Sequence, residues 1–140
     1  DLNDNQEDLH PTYKWEIGRR LSLVALAKDY GKRINYAGPI FSSVNYIDST
    51  VVLKFDKLKQ LKIASKPITG FEIAAKDGEF KPATAKVVGN MVLLKSTDIK
   101  KPIAARYNWT ENPTGNFYQN GLPALPFRTN NPLTQQFKIN

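Results

Sequence analysis

The run Ala83-Thr84-Ala85-Lys86-Val87-Val88-Gly89-Asn90-Met91-Val92-Leu93-Leu94-Lys95 decides the fold class. Two β-prone arms flank Gly89, which supplies the positive φ that a tight hairpin requires. Working outward, the chain from Tyr36 onward repeats this grammar. Short runs of Val, Ile, Phe and Tyr are broken about every 8–12 residues, the spacing of a sandwich. Strands are expected at 40–47, 50–55, 61–63, 71–75, 83–88, 91–95 and 103–108, with a second turn at Lys76-Asp77-Gly78-Glu79. The expected fold is mainly β, a β-sandwich or jelly-roll, with Val52, Phe55, Phe71, Ile73, Val87, Leu93 and Ile103 turned inward. From Thr110 the pattern changes to an irregular tail. Pro113, Gly115, Gly121, Pro123, Pro126 and Pro132 alternate with Phe117, Tyr118, Leu122, Leu125 and Phe127, which need a surface to pack on.

Upstream of the β region lies one helix, expected over 13–30. Pro11 and Thr12 suit a helix start, and Gly31 closes it with Lys28, Lys32 and Arg33 at the negative end of the dipole. Ile17, Leu21, Val24 and Lys28 form the stripe. Leu23, Ala25, Leu26, Ala27 and Tyr30 widen it past half the girth. A sandwich surface uses one stripe of such a helix. The helix therefore either packs deeply at one end of the sandwich or belongs to a layer these residues do not include. The residues before it favour the second reading.

Composition narrows the chemistry. The chain of 140 residues has no cysteine and one histidine, which excludes a disulfide scaffold, a thiol nucleophile and a multi-histidine zinc site. No cofactor or metal is expected. No apolar run approaches the roughly 20 residues of a membrane helix, so no membrane span is expected. The acidic first ten residues do not read as a signal peptide. Net charge is +7. The lysines are dispersed and no nucleic-acid motif is present, so the charge reads as a solvated surface and nucleic acid is not an expected partner.

Just before the helix stands Glu7-Asp8-Leu9-His10-Pro11. A carboxylate two or three residues ahead of a histidine can fix its tautomer and stabilise the imidazolium, leaving the other ring nitrogen to take a serine proton. The bland alternative is a helix cap. His10-Pro11, then Ile17-Gly18-Arg19-Arg20-Leu21-Ser22-Leu23 and Ala25-Leu26-Ala27, resembles the last block of SGNH-type hydrolases and, within them, the sialate O-acetylesterase family of carbohydrate esterases. The resemblance continues in order through Tyr36-Ala37-Gly38-Pro39, Thr69-Gly70-Phe71-Glu72-Ile73-Ala74, Ala105-Arg106-Tyr107-Asn108-Trp109, Asn112-Pro113 and Gly121-Leu122-Pro123-Ala124, ending at Pro126-Phe127-Arg128-Thr129.

The resemblance implies a serine esterase that removes acetyl groups from sugars, O-acetylated sialic acid among them. It implies His10 as general base, with Asp8 or Glu7 as its partner: the superfamily spacing points to Glu7, the Asn-Asp-Leu-His relatives to Asp8. Residues 1–33 would then be the end of a flavodoxin-like hydrolase domain, its last helix included, and 34–140 a β-sandwich accessory domain. None of Ser22, Ser42, Ser43, Ser49, Ser65 and Ser96 stands in Gly-x-Ser. The nucleophile is therefore expected in an upstream segment or a second chain, these 140 residues form the C-terminal part of the enzyme, and alone they are inactive. A secreted or periplasmic setting goes with the resemblance.

Other residues carry paired readings. Trp109, Tyr107 and Tyr118 are core aromatics of a sandwich edge, or a sugar-stacking platform. Arg106 and Arg128 are structural ion pairs, or a fork for a sialate carboxylate. Asn108-Trp109-Thr110 is a formal glycosylation triplet, and Trp15 reads as a packing residue. The competing functions are a non-catalytic carbohydrate-binding or scaffolding β-sandwich and, more remotely, a basic module for anionic polymers.

Overall fold

The computed structural model describes residues 10, 12–56 and 67–130, so the strand expected at 61–63 lies outside the described residues. Among these described residues one helix, α1 (Lys14–Lys28), precedes ten strands: β1 (Ile40–Ile47), β2 (Thr50–Asp56), β3 (Phe71–Ala74), β4 (Phe80–Pro82), β5 (Thr84–Val88), β6 (Met91–Lys95), β7 (Ala104–Tyr107), β8 (Tyr118–Gln119), β9 (Leu122–Pro123) and β10 (Phe127–Arg128). The fold is mainly β with one preceding helix, as the residue pattern implies. All pairings are antiparallel. One sheet runs β1-β2-β6-β5, a second β10-β7-β3-β4, and β8-β9 form a small hairpin.

The two large sheets share one core. Val51, Leu53 and Phe55 of β2 and Val92 and Leu94 of β6 meet Phe71, Ile73, Ala105, Tyr107 and Phe127 from the second sheet. Aromatic rings knit the layers together. Phe127 stacks on Phe41 at 4.3 Å between centroids, and Phe55 meets Phe117 edge-on at 5.3 Å. Such offset and edge contacts are the favoured arrangements of ring quadrupoles. Much of the tail packs as its composition demands, with Phe117, Leu122 and Phe127 buried, whereas Leu125 stays 60% exposed.

The inward face differs from expectation in three strands. In β2 the core takes Val51 and Leu53, leaving Val52 half-buried. In β6 it takes Val92 and Leu94, leaving Leu93 half-buried. β6 is apolar on both faces, so alternation carries no phase there, whereas in β2 the exposed Lys54 and Asp56 mark the outer face that Val52 shares. Ile103 precedes β7 and is 56% exposed, its N–H donating to the Ala74 carbonyl at 2.8 Å. The hairpin turn at Gly89 is as expected, with φ +60 and Val88 opposite Met91.

Helix α1 starts one residue later than expected and without a side-chain cap. Tyr13 occupies the cap position, and its carbonyl accepts from the Glu16 N–H at 3.1 Å. At the other end Gly31, at φ +63, turns the chain so that the Lys32 N–H reaches the Leu26 carbonyl at 2.8 Å. The linker then seats against the sandwich. Pro39 is fully buried, and a Cβ on Gly38 would collide with the Leu122 and Pro123 carbonyl oxygens of β9.

Candidate functional site

His10 lies exposed at the approach to α1; Asp8 and Glu7 lie outside the described residues. Beyond it, the first turns of α1 form a charged knot. Glu16 is 8% exposed. Its carboxylate accepts from Arg19 Nε and Nη2 at 2.6 and 2.7 Å and from Arg20 Nε at 2.8 Å. The hydrogen bonds from Arg19, then those from Arg20, hold the Glu16 carboxyl down from 4.5 to about 2. Arg20 also faces the sandwich: its cation opposes the burial that raises the Tyr118 phenol. Lys28, at the far end, lies over the Tyr36 ring at 5.1 Å. The helix is thus aimed by cations at its two ends. Its apolar faces stay in solvent, with Trp15 67% and Leu21 66% exposed. Ser22 donates its hydroxyl to the Arg19 carbonyl at 2.7 Å, an ordinary helix back-bond.

The downstream motifs converge on one junction. Gly70, at φ +91, sits so close to Asn108 and Gly115 that an added Cβ would lie 2.6 Å from both. Asn108 itself holds φ +47, a left-handed conformation that Asn tolerates better than most residues. Its Oδ1 accepts from the Gly115 N–H at 2.9 Å, its side chain bonds the Tyr107 hydroxyl, and its N–H donates to the Gly70 carbonyl at 3.0 Å. Tyr107 is fully buried, and its hydroxyl accepts from the Phe117 N–H at 3.0 Å. Burial pushes the Tyr107 phenol up. Tyr107 is therefore a core residue. Asn108 is a structural node, because the glycosylation triplet spends its side-chain amide inside the fold.

The arginines divide. On the outer face of the second sheet, Glu72, Arg106 and Arg128 stand in one cross-strand row. Arg106 grips Glu72 through two bonds, 2.7 and 3.1 Å, with its guanidinium 4.3 Å from the Phe80 ring centroid. That is the structural ion pair of the two readings. Among the described residues Arg128 donates its Nε alone, to Asn130 Oδ1 at 3.1 Å. Its guanidinium carbon lies 5.6 Å from the Phe80 centroid and 5.9 Å from that of Trp109. Among the described residues no carboxylate pairs with it, and no group of three or more His, Asp or Glu could hold a metal ion.

A crystal structure of a carbohydrate acetylesterase from Xanthomonas citri superposes on this chain with a TM-score of 0.84 and 35% sequence identity. The match covers 94% of this chain and 31% of that one, so the chain spans about a third of the length of that enzyme. No family model and no curated protein matches the chain. The match covers nearly all of the 140 residues, so it takes in both the helix and the sandwich.

Sequence reasoning missed Phe80 as the ring beneath both arginines and Glu16 as the anchor of the helix. Glu16 could have been found. It stands three and four residues ahead of Arg19 and Arg20, the spacing at which side chains meet on a helix. Phe80 sits on a three-residue strand after a turn, where no periodicity marks it.

Proposed function

We propose that these residues are the C-terminal part of a serine carbohydrate esterase that hydrolyses acetyl esters on sugars, and that they supply its general base. The observation that carries this reading is the 35% identity, along 94% of the chain, to a carbohydrate acetylesterase. The exposed apolar faces of α1 support it: a helix with Trp15 and Leu21 in solvent is built for a further layer. Residues 1–33 close the hydrolase domain, and 34–140 form its accessory sandwich. O-acetylated sialic acid is the substrate within this class, and an extracytoplasmic setting goes with it.

In this reading His10 takes the proton from a serine carried outside these residues as the serine attacks the acetyl carbonyl. It returns that proton to the departing sugar oxygen. Asp8 or Glu7 accepts from the other ring nitrogen, fixing the tautomer and stabilising the imidazolium. The 140 residues alone lack the nucleophile and release no acetate.

The test is acetate release from an O-acetylated sugar by the full-length parent. His10→Ala should lower turnover by several orders of magnitude. Asp8→Asn and Glu7→Gln then separate the partners, since the amide keeps the shape and loses the charge. Near wild-type turnover in His10→Ala would overturn the base assignment. A parent with no esterase activity would leave the sandwich as a non-catalytic carbohydrate-binding module.

A further inference from the structure

Beside the row of outer-face side chains the chain leaves an open depression of about 500 Å³, lined by Asn108, Trp109, Thr110, Glu111 and Pro126. Its floor is rigid. The left-handed turn at Asn108 is pinned by bonds to Gly70, Gly115 and Tyr107, and that turn carries Trp109 outward. The indole is 37% exposed, with the Arg128 guanidinium near its ring. Arg128 is positioned by Asn130 and by two aromatic rings, yet its terminal nitrogens meet no acceptor among the described residues. Its neighbour Arg106 is neutralised by Glu72.

We propose that Trp109, Arg128 and Glu111 form a binding subsite for a neutral pyranose unit of an oligosaccharide. That the ligand is a glycan rests on the esterase reading above, with the subsite holding a neutral unit of the glycan that bears the acetylated sialic acid; the placement rests on the geometry. A pyranose ring presents an apolar C–H face, which an exposed indole covers at little entropic cost, and a rim of hydroxyls that both donate and accept. Arg128 offers donors to that rim, and Glu111 and Thr110 offer acceptors. Glu111 lines the depression and Arg128 lies beside its Trp109, so the two named charges cancel and leave no net charge to select an acidic sugar.

The experiment uses the 140-residue chain carrying Trp15→Phe, so that Trp109 is its only indole. Xylohexaose, cellohexaose and mannohexaose are titrated while fluorescence is followed, with hexagalacturonate as the acidic comparison. At least one neutral hexaose should give a saturable emission shift. Arg128→Gln and Glu111→Gln should each weaken binding about tenfold, the size of one charge-assisted hydrogen bond. Calorimetry should find no binding in Trp109→Ala and retained binding in Trp109→Phe, with a cooperative thermal transition kept in both because the bonds that pin the turn lie in Gly70, Tyr107, Asn108 and Gly115. Three results would each overturn the proposal: no saturable response to any neutral hexaose, tighter binding of hexagalacturonate, or undiminished binding in Trp109→Ala. Acetate release by the parent is read separately, so failure of this subsite and failure of the esterase reading give different results.

Discussion

At the scale of single residues the most tightly constrained point is the meeting of Gly70, Tyr107, Asn108 and Gly115. Tyr107→Phe keeps the ring and removes the acceptor for the buried Phe117 N–H. An unpaired buried donor costs about 1–3 kcal/mol, and a urea titration should show a loss of that size. An unchanged midpoint would mean that the Phe117 N–H finds another acceptor. Gly70→Ala should cost at least as much, because a positive φ is strained for alanine and the Asn108 side chain cannot retreat without releasing Gly115. These positions were legible as motifs, and their mutual contact was not. In sequence the five strands β3 to β7 lie between Gly70 and Asn108, and nothing in either motif names the other. Asn108 shows the hazard most plainly. Its triplet reads as a modification site, while the fold uses its amide on both sides.

At the scale of elements, α1 was legible as a helix because apolar residues recur at helical spacing ahead of the stop at Gly31, and its anchoring carboxylate was overlooked because Glu16 lies off the apolar stripe. That carboxylate sets a pH dependence. Its carboxyl titrates near 2 in the folded chain against 4.5 ordinarily, because Arg19 and Arg20 bond the charged form. A depressed carboxyl contributes stability in full above its unfolded value and loses it as pH falls through the folded one. The helix should therefore keep its ellipticity down to about pH 4.5 and lose it progressively toward pH 2. Glu16→Gln should flatten that acid limb and lower the helix signal at neutral pH. An acid limb unchanged in the glutamine variant would assign it to other groups. Among strands, β6 holds the clearest contrast. Leu94→Ala empties a fully buried site and should cost about 2–5 kcal/mol, whereas Leu93→Ala, on the other face and half-buried, should cost clearly less. Four successive apolar residues from Met91 to Leu94 hid that difference from any reading of alternation. The β8-β9 hairpin was legible in principle, since Asn120-Gly121 is a strong two-residue turn signal and both residues have positive φ. Only two residues on each side pair, which is why no strand run announced it.

Taken whole, the molecule joins a sandwich with a complete core to a helix whose apolar faces are unfinished. Removing residues 1–33 should leave a cooperative thermal transition, because the linker residues that reach into the sandwich, Gly38 and Pro39, are retained. The same deletion should reduce binding of an apolar dye such as ANS, since Trp15, Leu21 and Val24 go with it. Gly18 then tests where the helix belongs. It sits inside α1, and a Cβ there meets nothing within 4 Å. Glycine in a helix interior is less stable than alanine by roughly 0.5–1 kcal/mol, so Gly18→Ala should raise the helicity of the 140-residue chain. If α1 packs into a catalytic α/β layer, that glycine is where two backbones approach. The same substitution in the full-length parent should then lower its thermal midpoint, because the added methyl overpacks a close contact. Opposite signs in the two proteins support the buried helix. Equal stabilisation in both would place this face of α1 in solvent throughout, and the sandwich would carry the helix as a mere appendage.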